Sequence, residues 1–321
     1  MKTRAEFFQR EAVLTLVIIA IGAAFSLSVP GFLDPLSLAD RSRHWVETGL
    51  VAIPMTFIIA SGGIDLSVGS LLALAMMVSG RLHAAGWPLP VVMAGSLLTG
   101  WAGGLFNAAM IRALRLPPLV VTLATLALFR GLAYGLSGAQ PVGAWPDGFT
   151  DWGSIGAWRI SGGWEIPWGV LILLGAVAAG TALFHRHALG RRARQLGENP
   201  TAARYAGISA MRTELAIYGL AGLACGLGAI LWTARFATAH PGAALGLELD
   251  VIAVVVIGGT RITGGAGSVP GTFLGLLLLG LLRYGLDVTS VSQQDQNILV
   301  GILLVIVAIF NERWALQHRR A

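Results

Sequence analysis

Apolar runs of about 20 residues recur along the chain, and they constrain its fold more than any other feature. A helix of roughly 20 apolar residues crosses a hydrocarbon layer of about 30 Å. The 321 residues are 55% hydrophobic and 12% charged, whereas an average soluble domain has roughly 25% charged residues. The sequence therefore predicts an all-α fold, a polytopic transmembrane helical bundle.

The apolar pattern predicts about ten spans within one transmembrane domain over residues 1–321. These spans are 12–32, 46–63, 65–81, 89–111, 118–136, 166–185, 214–235, 248–258, 269–286 and 296–311. The first run is interpreted as a retained helix, because it lacks a clear signal-peptide cleavage site and many further spans follow it.

The distribution of basic residues predicts the orientation of the bundle. With the N-terminus inside, 15 of the 22 Lys and Arg residues fall in inside segments, and seven fall outside or near outer helix ends. This bias places both termini in the cytoplasm, residues 137–165 in a periplasmic loop and residues 186–213 in a cytoplasmic loop. The net charge of +6 then reflects orientation, and nucleic-acid binding is not expected.

Two glycine-rich stretches interrupt the apolar pattern. SGGIDLSVGS at 61–70 separates two apolar runs, and TGGAGSVPGT at 263–272 follows the short run VIAVVVIGG. Such breaks are typical of discontinuous helices beside a polar path. The stretches align at an offset of 202 residues, which indicates a weak internal repeat or chance similarity between glycine-rich turns.

Asp65 lies where the hydrophobicity predicts lipid. A carboxylate at membrane depth is unfavourable unless it faces the bundle interior, pairs or becomes protonated, which makes Asp65 a candidate functional residue. Alternatively, Asp65 caps the next helix by accepting hydrogen bonds from the N–H groups of Ser67 or Val68. The two interpretations are compatible, and both stay open.

Several kinds of chemistry are missing from the sequence. Lys2 is the only lysine, so a phosphate-binding loop of the G-x-x-x-x-G-K-[ST] type is excluded. The sequence has no zinc-protease or serine-hydrolase motif and no Cys/His cluster. We therefore expect no catalytic residue, no metal site and no cofactor in this chain, and we do not expect an enzyme.

The cytoplasmic loop contains a short helix signal. Asn199 followed by Pro200 is typical of a helix start, and Gly207 is typical of a helix end. The small residues of TAARYA would let this helix sit in a groove on another protein. An ordinary amphipathic connector is the alternative.

Three motifs together carry a family resemblance: SGGIDLSVGS at 61–70, GENPTAARYAGI at 197–208 and VIGGTRITGGAGSVPGTFLG at 256–275. In these motifs the chain resembles the permease subunits of bacterial ABC importers for monosaccharides, the branch that includes the ribose, galactose, xylose, rhamnose and autoinducer-2 systems. ARYAGI matches the family's coupling segment only loosely.

The resemblance implies a set of partners. It implies a permease in the lipid of the bacterial inner membrane that pairs with a second copy of itself or a homologue. It also implies a cytoplasmic ABC ATPase, which binds the ATP and Mg, and a periplasmic sugar-binding protein that delivers substrate. The chain itself would hold no cofactor.

The resemblance also implies roles for particular residues. Residues beside the translocation path would be Ser61, Gly62, Gly63, Asp65, Ser67, Asn107, Gly264 and Gly265. Residues that couple to the ATPase would be Gly197, Glu198, Asn199, Pro200, Ala202, Ala203 and Gly207.

Two other functions stay in view. A self-contained proton- or ion-coupled secondary sugar transporter would be expected to show paired intramembrane acids or bases, whereas Asp65 stands nearly alone. A membrane-embedded enzyme would need a catalytic constellation that the sequence lacks.

Overall fold

A computed structural model describes residues 2–154, 156–160 and 164–319 and is mostly helical within them. The helices of the first half are α1 Lys2–Ser28, α2 Pro35–Ser42, a 3-10 helix Arg43–Trp45, α3 Val46–Ala60, α4 Val68–Ala84, α5 Leu89–Leu114, α6 Pro118–Ser137 and α7 Asp147–Ser154. The hairpin strands are β1 Gly156–Ile160 and β2 Trp164–Pro167. The second half contains α8 Trp168–His185, α9 Ala188–Glu198, α10 Pro200–Tyr205, α11 Ala210–Phe236, α12 Leu247–Ile257, α13 Val269–Val288 and α14 Gln293–Arg319.

Six helices in the described part of the chain are long and apolar enough to cross a membrane. They comprise residues 11–28 of α1 together with α5, α6, α8, α11 and α13. A helical membrane protein is thereby confirmed. The other four predicted spans coincide with α3, α4, α12 and the apolar part of α14, which are shorter. The count of ten spans and the cytoplasmic termini stay predictions.

The centre of the bundle consists of α3 and α12. Their side chains are almost all buried, and Val51, Ile58 and Val255 are 0% exposed. A helix that is apolar on every side belongs in the interior, and α4, α8, α11 and α13 pack around these two. The outer helices α1, α6 and α14 keep large apolar side chains exposed, such as Leu16 and Val305, which is the surface expected to face lipid.

Small residues let α5 and α11 approach closely along their lengths. Added methyl groups at Gly100 and Gly104 would overlap the carbonyl oxygens of Gly222 and Tyr218 across the interface. This glycine seam, made by Gly100, Gly104, Gly222 and Gly226, follows the four-residue spacing in the sequence. It brings the polar side chain of Asn107 on α5 and that of Tyr218 on α11 into the same interior.

The loops contain more structure than the sequence indicated. The predicted periplasmic loop 137–165 contains α7 and the antiparallel hairpin β1–β2, while its residues 155 and 161–163 lie outside the described residues. The predicted cytoplasmic loop 186–213 contains α9 before α10. The fold is thus helical with one small hairpin added.

Candidate functional site

The two glycine-rich stretches form turns that contact each other. Turn A, residues 61–67, joins α3 to α4, and turn B, residues 258–268, joins α12 to α13. The backbone N–H of Gly265 donates to the carbonyl of Ala60 at 2.9 Å. Gly62 and Gly264 both have φ of +86°, a left-handed conformation that favours glycine. Gly62 and Gly264, which align at the offset of 202 residues, therefore share a backbone conformation, whereas Gly265 has φ of +82° and its counterpart Gly63 does not have a positive φ.

Asp65 lies in turn A with its side chain 1% exposed. Its Oδ1 accepts hydrogen bonds from the backbone N–H of Ser67 at 2.8 Å and from the Ser67 hydroxyl at 2.6 Å. The Asn107 amide donates to the Ser67 hydroxyl oxygen at 2.8 Å. Asp65 thus makes the predicted contact with the Ser67 N–H, which fixes the N-cap residue Ser67 just ahead of α4 without capping the helix N–H groups themselves, and α5 joins the same network.

This buried polar cluster keeps unused hydrogen-bonding capacity. The Asn107 Oδ1 atom and the Tyr218 hydroxyl are buried, and neither has a hydrogen-bond partner among the described residues. The Tyr218 hydroxyl lies beside turn A, because a Cβ at Gly63 would be 2.9 Å from it. Buried polar groups without partners are rare. The cluster of Asp65, Ser67, Asn107 and Tyr218 therefore contains an amide oxygen and a hydroxyl that no described residue satisfies.

The other residues predicted for the path divide into two groups. Ser61 is half-buried, and its hydroxyl donates to the carbonyl of Ile58, in the last turn of the preceding helix α3, at 2.7 Å. Gly62, Gly264 and Gly265 lie where turns A and B meet, and they adjoin α9 rather than Asn107. Sequence reasoning missed Tyr218, although it is a hydroxyl-bearing residue in the apolar run LAIYGLAGLACG.

Helix α10 begins and ends where the sequence indicated. The Asn199 Oδ1 atom accepts the N–H of Ala202 at 2.9 Å, Pro200 is the first helical residue, and Gly207 has φ of +78°. Ala202 is exposed, whereas Ala203 is 3% exposed and packs within the chain itself. Tyr205 is 89% exposed, so α10 presents a surface to which a partner can bind.

Gly197, at the end of α9, contacts both turns. A methyl group at Gly197 would overlap the carbonyl oxygen of Ala60 and would lie 2.8 Å from the Gly265 nitrogen. Glu198 adjoins turn B in the same way, since a Cβ at Gly265 would be 3.2 Å from its Cα. The sequence predicted turn A, turn B and the α10 segment separately, and the structure brings all three together.

The short helix α9 explains how Gly197 reaches the turns. Gly190, Ala193 and Leu196 form its buried face, and the apolar spacing of Leu189, Ala193 and Leu196 could have predicted it. The Arg194 guanidinium donates to the carbonyl of Phe184 at 2.7 Å. Partial burial and the neighbouring Arg191 lower the pKa of Arg194. Helix α9 is therefore attached firmly to the end of α8.

No group of three or more His, Cys, Asp or Glu side chains that could hold a metal ion occurs in the part of the chain described. Cys225 is buried and unpaired within α11.

Comparison with known proteins assigns this chain to a family. Residues 45–308 match the family described as branched-chain amino acid transport system, permease component. The chain is 36% identical over 306 residues to the autoinducer 2 import system permease protein LsrD of Klebsiella pneumoniae, covering 93% of this chain and 90% of the relative. It is 34% identical to LsrD of Escherichia coli strain K12 and 35% identical to that of Enterobacter sp. strain 638, over 93% of this chain and 89% and 91% of those relatives. No solved structure gives a significant match.

Proposed function

The chain belongs to the permease-component family of the branched-chain amino acid transport system, and from its three motifs and its similarity to the LsrD permeases we propose that it imports a monosaccharide or a related small polyol. It is a multi-pass permease of the inner membrane and not an enzyme. The LsrD relatives carry autoinducer 2 import in their name, so the proposed solute class is a small polyhydroxylated molecule.

The proposed assembly has four kinds of component. A cytoplasmic ABC ATPase binds ATP and Mg, and a periplasmic binding protein delivers the solute. A second copy of this chain or a homologue completes the path through the lipid. In this assembly the chain crosses the membrane ten times, with both termini in the cytoplasm.

The contact of Gly197 with turns A and B is the observation that carries the coupling mechanism. Helix α10 docks on the ATPase through its exposed residues, and ATP binding moves it. Because α9 ends against both turns, this movement reaches the buried cluster around Asp65 without passing through a flexible loop. ATP binding thereby shifts the population between outward-facing and inward-facing states.

The buried cluster suits a transported solute. Hydroxyl and amide groups at Ser67, Asn107 and Tyr218 can bind sugar hydroxyls individually, and each such hydrogen bond contributes only about 0.5–1.5 kcal/mol. Weak binding lets the solute leave on the inner side. Asp65 fixes the backbone of turn A beside this path.

Purification of the tagged chain in a mild detergent tests the proposal, with ATP hydrolysis measured in the eluate. We expect an ATPase to co-purify with the unmodified chain. We expect the Ala202→Trp variant on α10 to lose this co-purification. The matched control is Ala84→Trp, because Ala84 is exposed at the opposite end of the bundle. A chain that emerges alone and supports proton-driven uptake would overturn the proposal in favour of a secondary transporter.

A further inference from the structure

A cavity of about 370 Å³ lies at the end of the bundle opposite α10. It is open to one side, and the 3-10 helix, the end of α11, the start of α12 and the second half of α13 line it. Helix α11 begins directly after the α10 segment and ends at the cavity, so its 27 residues separate the two by about 40 Å. In the proposed topology the cavity opens on the periplasmic side. We name it the outer cavity.

Ion pairs keep the lining of the outer cavity close to electrical neutrality. Arg283 pairs with Asp250 at 2.5 Å, and Arg41 lies 3.6 Å from Asp287. Arg235 pairs at 3.2 Å with Glu47, which does not itself border this cavity. Each arginine therefore has its own carboxylate, and a charged solute would have to compete with these pairs.

Arg235 and Arg283 keep N–H groups without a hydrogen-bond acceptor in the described part of the chain, and the Arg235 guanidinium also lies over the Trp232 and Phe236 rings, 5.5 and 4.5 Å from their centroids. The Nε and Nη1 atoms of Arg235 and the Nε atom of Arg283 are buried without a hydrogen-bond partner among the described residues. The Arg235 side chain is 12% exposed, so water reaches it poorly. Buried donors of this kind are unfavourable, and because these atoms have almost no accessible surface, an acceptor reaches them only when the arginine side chains shift. A hydroxyl oxygen is an acceptor that brings no charge.

Aromatic side chains supply the apolar part of the lining. Trp45, Trp232 and Tyr284 all border the outer cavity. The Trp45 ring packs flat against α13, since a Cβ at Gly280 would be 2.5 Å from it. Rigid rings beside a few fixed polar groups are typical of small-molecule sites. The C–H face of a sugar ring can pack on such a surface while its hydroxyls bind the arginines and carboxylates.

We infer that the outer cavity is a reception site for one neutral polyhydroxylated ring of pentose size, distinct from the cluster at Asp65. The inference rests on the proposed function for the direction of entry. The volume of the outer cavity falls within the range of about 300–1,000 Å³ that is typical of small-molecule pockets. The solute would thus occupy two binding sites in turn, first between Trp45 and Arg283 and then beside Asp65.

Site-directed labelling tests the inference without knowledge of the natural sugar. Thr48 borders the outer cavity, and the native Cys225 is buried, so Thr48→Cys in a Cys225→Ala background offers one reactive thiol there. A membrane-impermeant maleimide is added to the outer side, with D-ribose or D-xylose at millimolar concentration. We expect labelling from outside, slowed at least threefold by one of these neutral pentoses. Ribose 5-phosphate should slow it far less.

Two variants sharpen the test. Asp250→Asn frees Arg283 from its carboxylate, so we expect weaker protection by the pentose and new protection by ribose 5-phosphate. Trp87→Ala is the matched control, because Trp87 is 54% exposed and does not border the cavity. It should leave both results unchanged.

The outcomes separate this inference from the proposed function. If neither pentose slows the labelling and the chain still co-purifies an ATPase, the inferred reception site is wrong but the proposed function stands. Protection by added phospholipid but not by pentose also overturns it, because the cavity would then hold an acyl chain. Pentose protection in a chain without an ATPase partner supports the cavity and contradicts the ATP-driven importer.

Discussion

At the scale of single residues, Asp65 shows how a carboxylate is accommodated in an apolar interior. It accepts two hydrogen bonds from Ser67, and Asn107 extends the network to α5. The sequence predicted this candidate because an acid inside an apolar run is conspicuous. It could not predict that the Tyr218 hydroxyl lies nearby, because that depends on how α11 packs against α5.

Replacing Asp65 separates its structural contribution from its transport contribution. Asp65→Asn keeps an oxygen that can accept the Ser67 N–H, so we expect normal insertion and reduced transport. Asp65→Ala also removes the acceptor, and we expect a further loss of about 1–3 kcal/mol in the free energy of unfolding. Solute uptake and thermal unfolding in detergent measure the two effects. Transport at the unmodified rate with only lower stability in Asp65→Asn would reduce Asp65 to a capping residue.

The buried pair of Glu47 and Arg235 permits a double-mutant test. Glu47 is 2% exposed, and Glu47→Gln would leave Arg235 without its charge partner. We expect a loss of about 3–5 kcal/mol in stability. The double variant Glu47→Gln with Arg235→Gln should recover much of it, as thermal unfolding would report. A double variant no more stable than the single one would show that the pair is not the cause.

At the scale of helices, the glycine seam between α5 and α11 determines how closely the two helices pack. A side chain at Gly222 would overlap the Gly100 carbonyl oxygen. We expect Gly222→Val to lower stability by about 1–3 kcal/mol, because overpacking forces the helices apart. Gly175→Val is the matched control, since nothing lies within 4 Å of a Cβ at this helical glycine. Equal melting temperatures for the two variants would contradict the close approach.

The contact between α9 and the two turns predicts that a variant at this contact keeps ATPase binding but loses solute uptake. Gly197→Ala would displace α9 from the Ala60 carbonyl while leaving the exposed face of α10 intact. We expect the ATPase still to co-purify and solute uptake to fall at least tenfold. Gly131→Ala serves as control, because a Cβ there meets nothing within 4 Å. Unchanged uptake in Gly197→Ala would show that the contact does not transmit movement.

A helix can be predicted from the sequence when local features, such as an apolar run or capping residues, are enough to specify it. Helices α5, α6, α8, α11 and α13 were predicted well, because a long apolar run is sufficient evidence for a span. Helix α10 was predicted from its caps. Helix α4 begins at Val68 rather than at 65, because turn A takes the intervening residues. The meeting of turn A, turn B and Gly197 depends on long-range packing, so no local pattern could reveal it.

At the scale of the whole molecule, the two ends of the bundle differ in chemistry. Helix α10 and the basic α9 segment lie at one end, and the outer cavity lies at the other. We expect Tyr205→Cys to react with an impermeant maleimide only from the cytoplasm, and Leu245→Cys only from outside, each in the Cys225→Ala background. Both positions are exposed, at 89% and 71%. Reaction of both from one side would contradict the topology.

The burial of α3 has a consequence for the order in which the protein is made. This helix ends at Ala60, yet helices from the second half of the chain, α8, α11, α12 and α13, enclose it. At about 5–20 residues per second, synthesis from the end of α3 at Ala60 to the end of α13 at Val288 takes about 11–46 s. During that interval α3, with Glu47 and the following Asp65, has no finished interior around it. We therefore expect the insertion machinery or a chaperone to shield α3 during this interval. We also expect a fragment whose synthesis stops within the second half of the chain to be degraded.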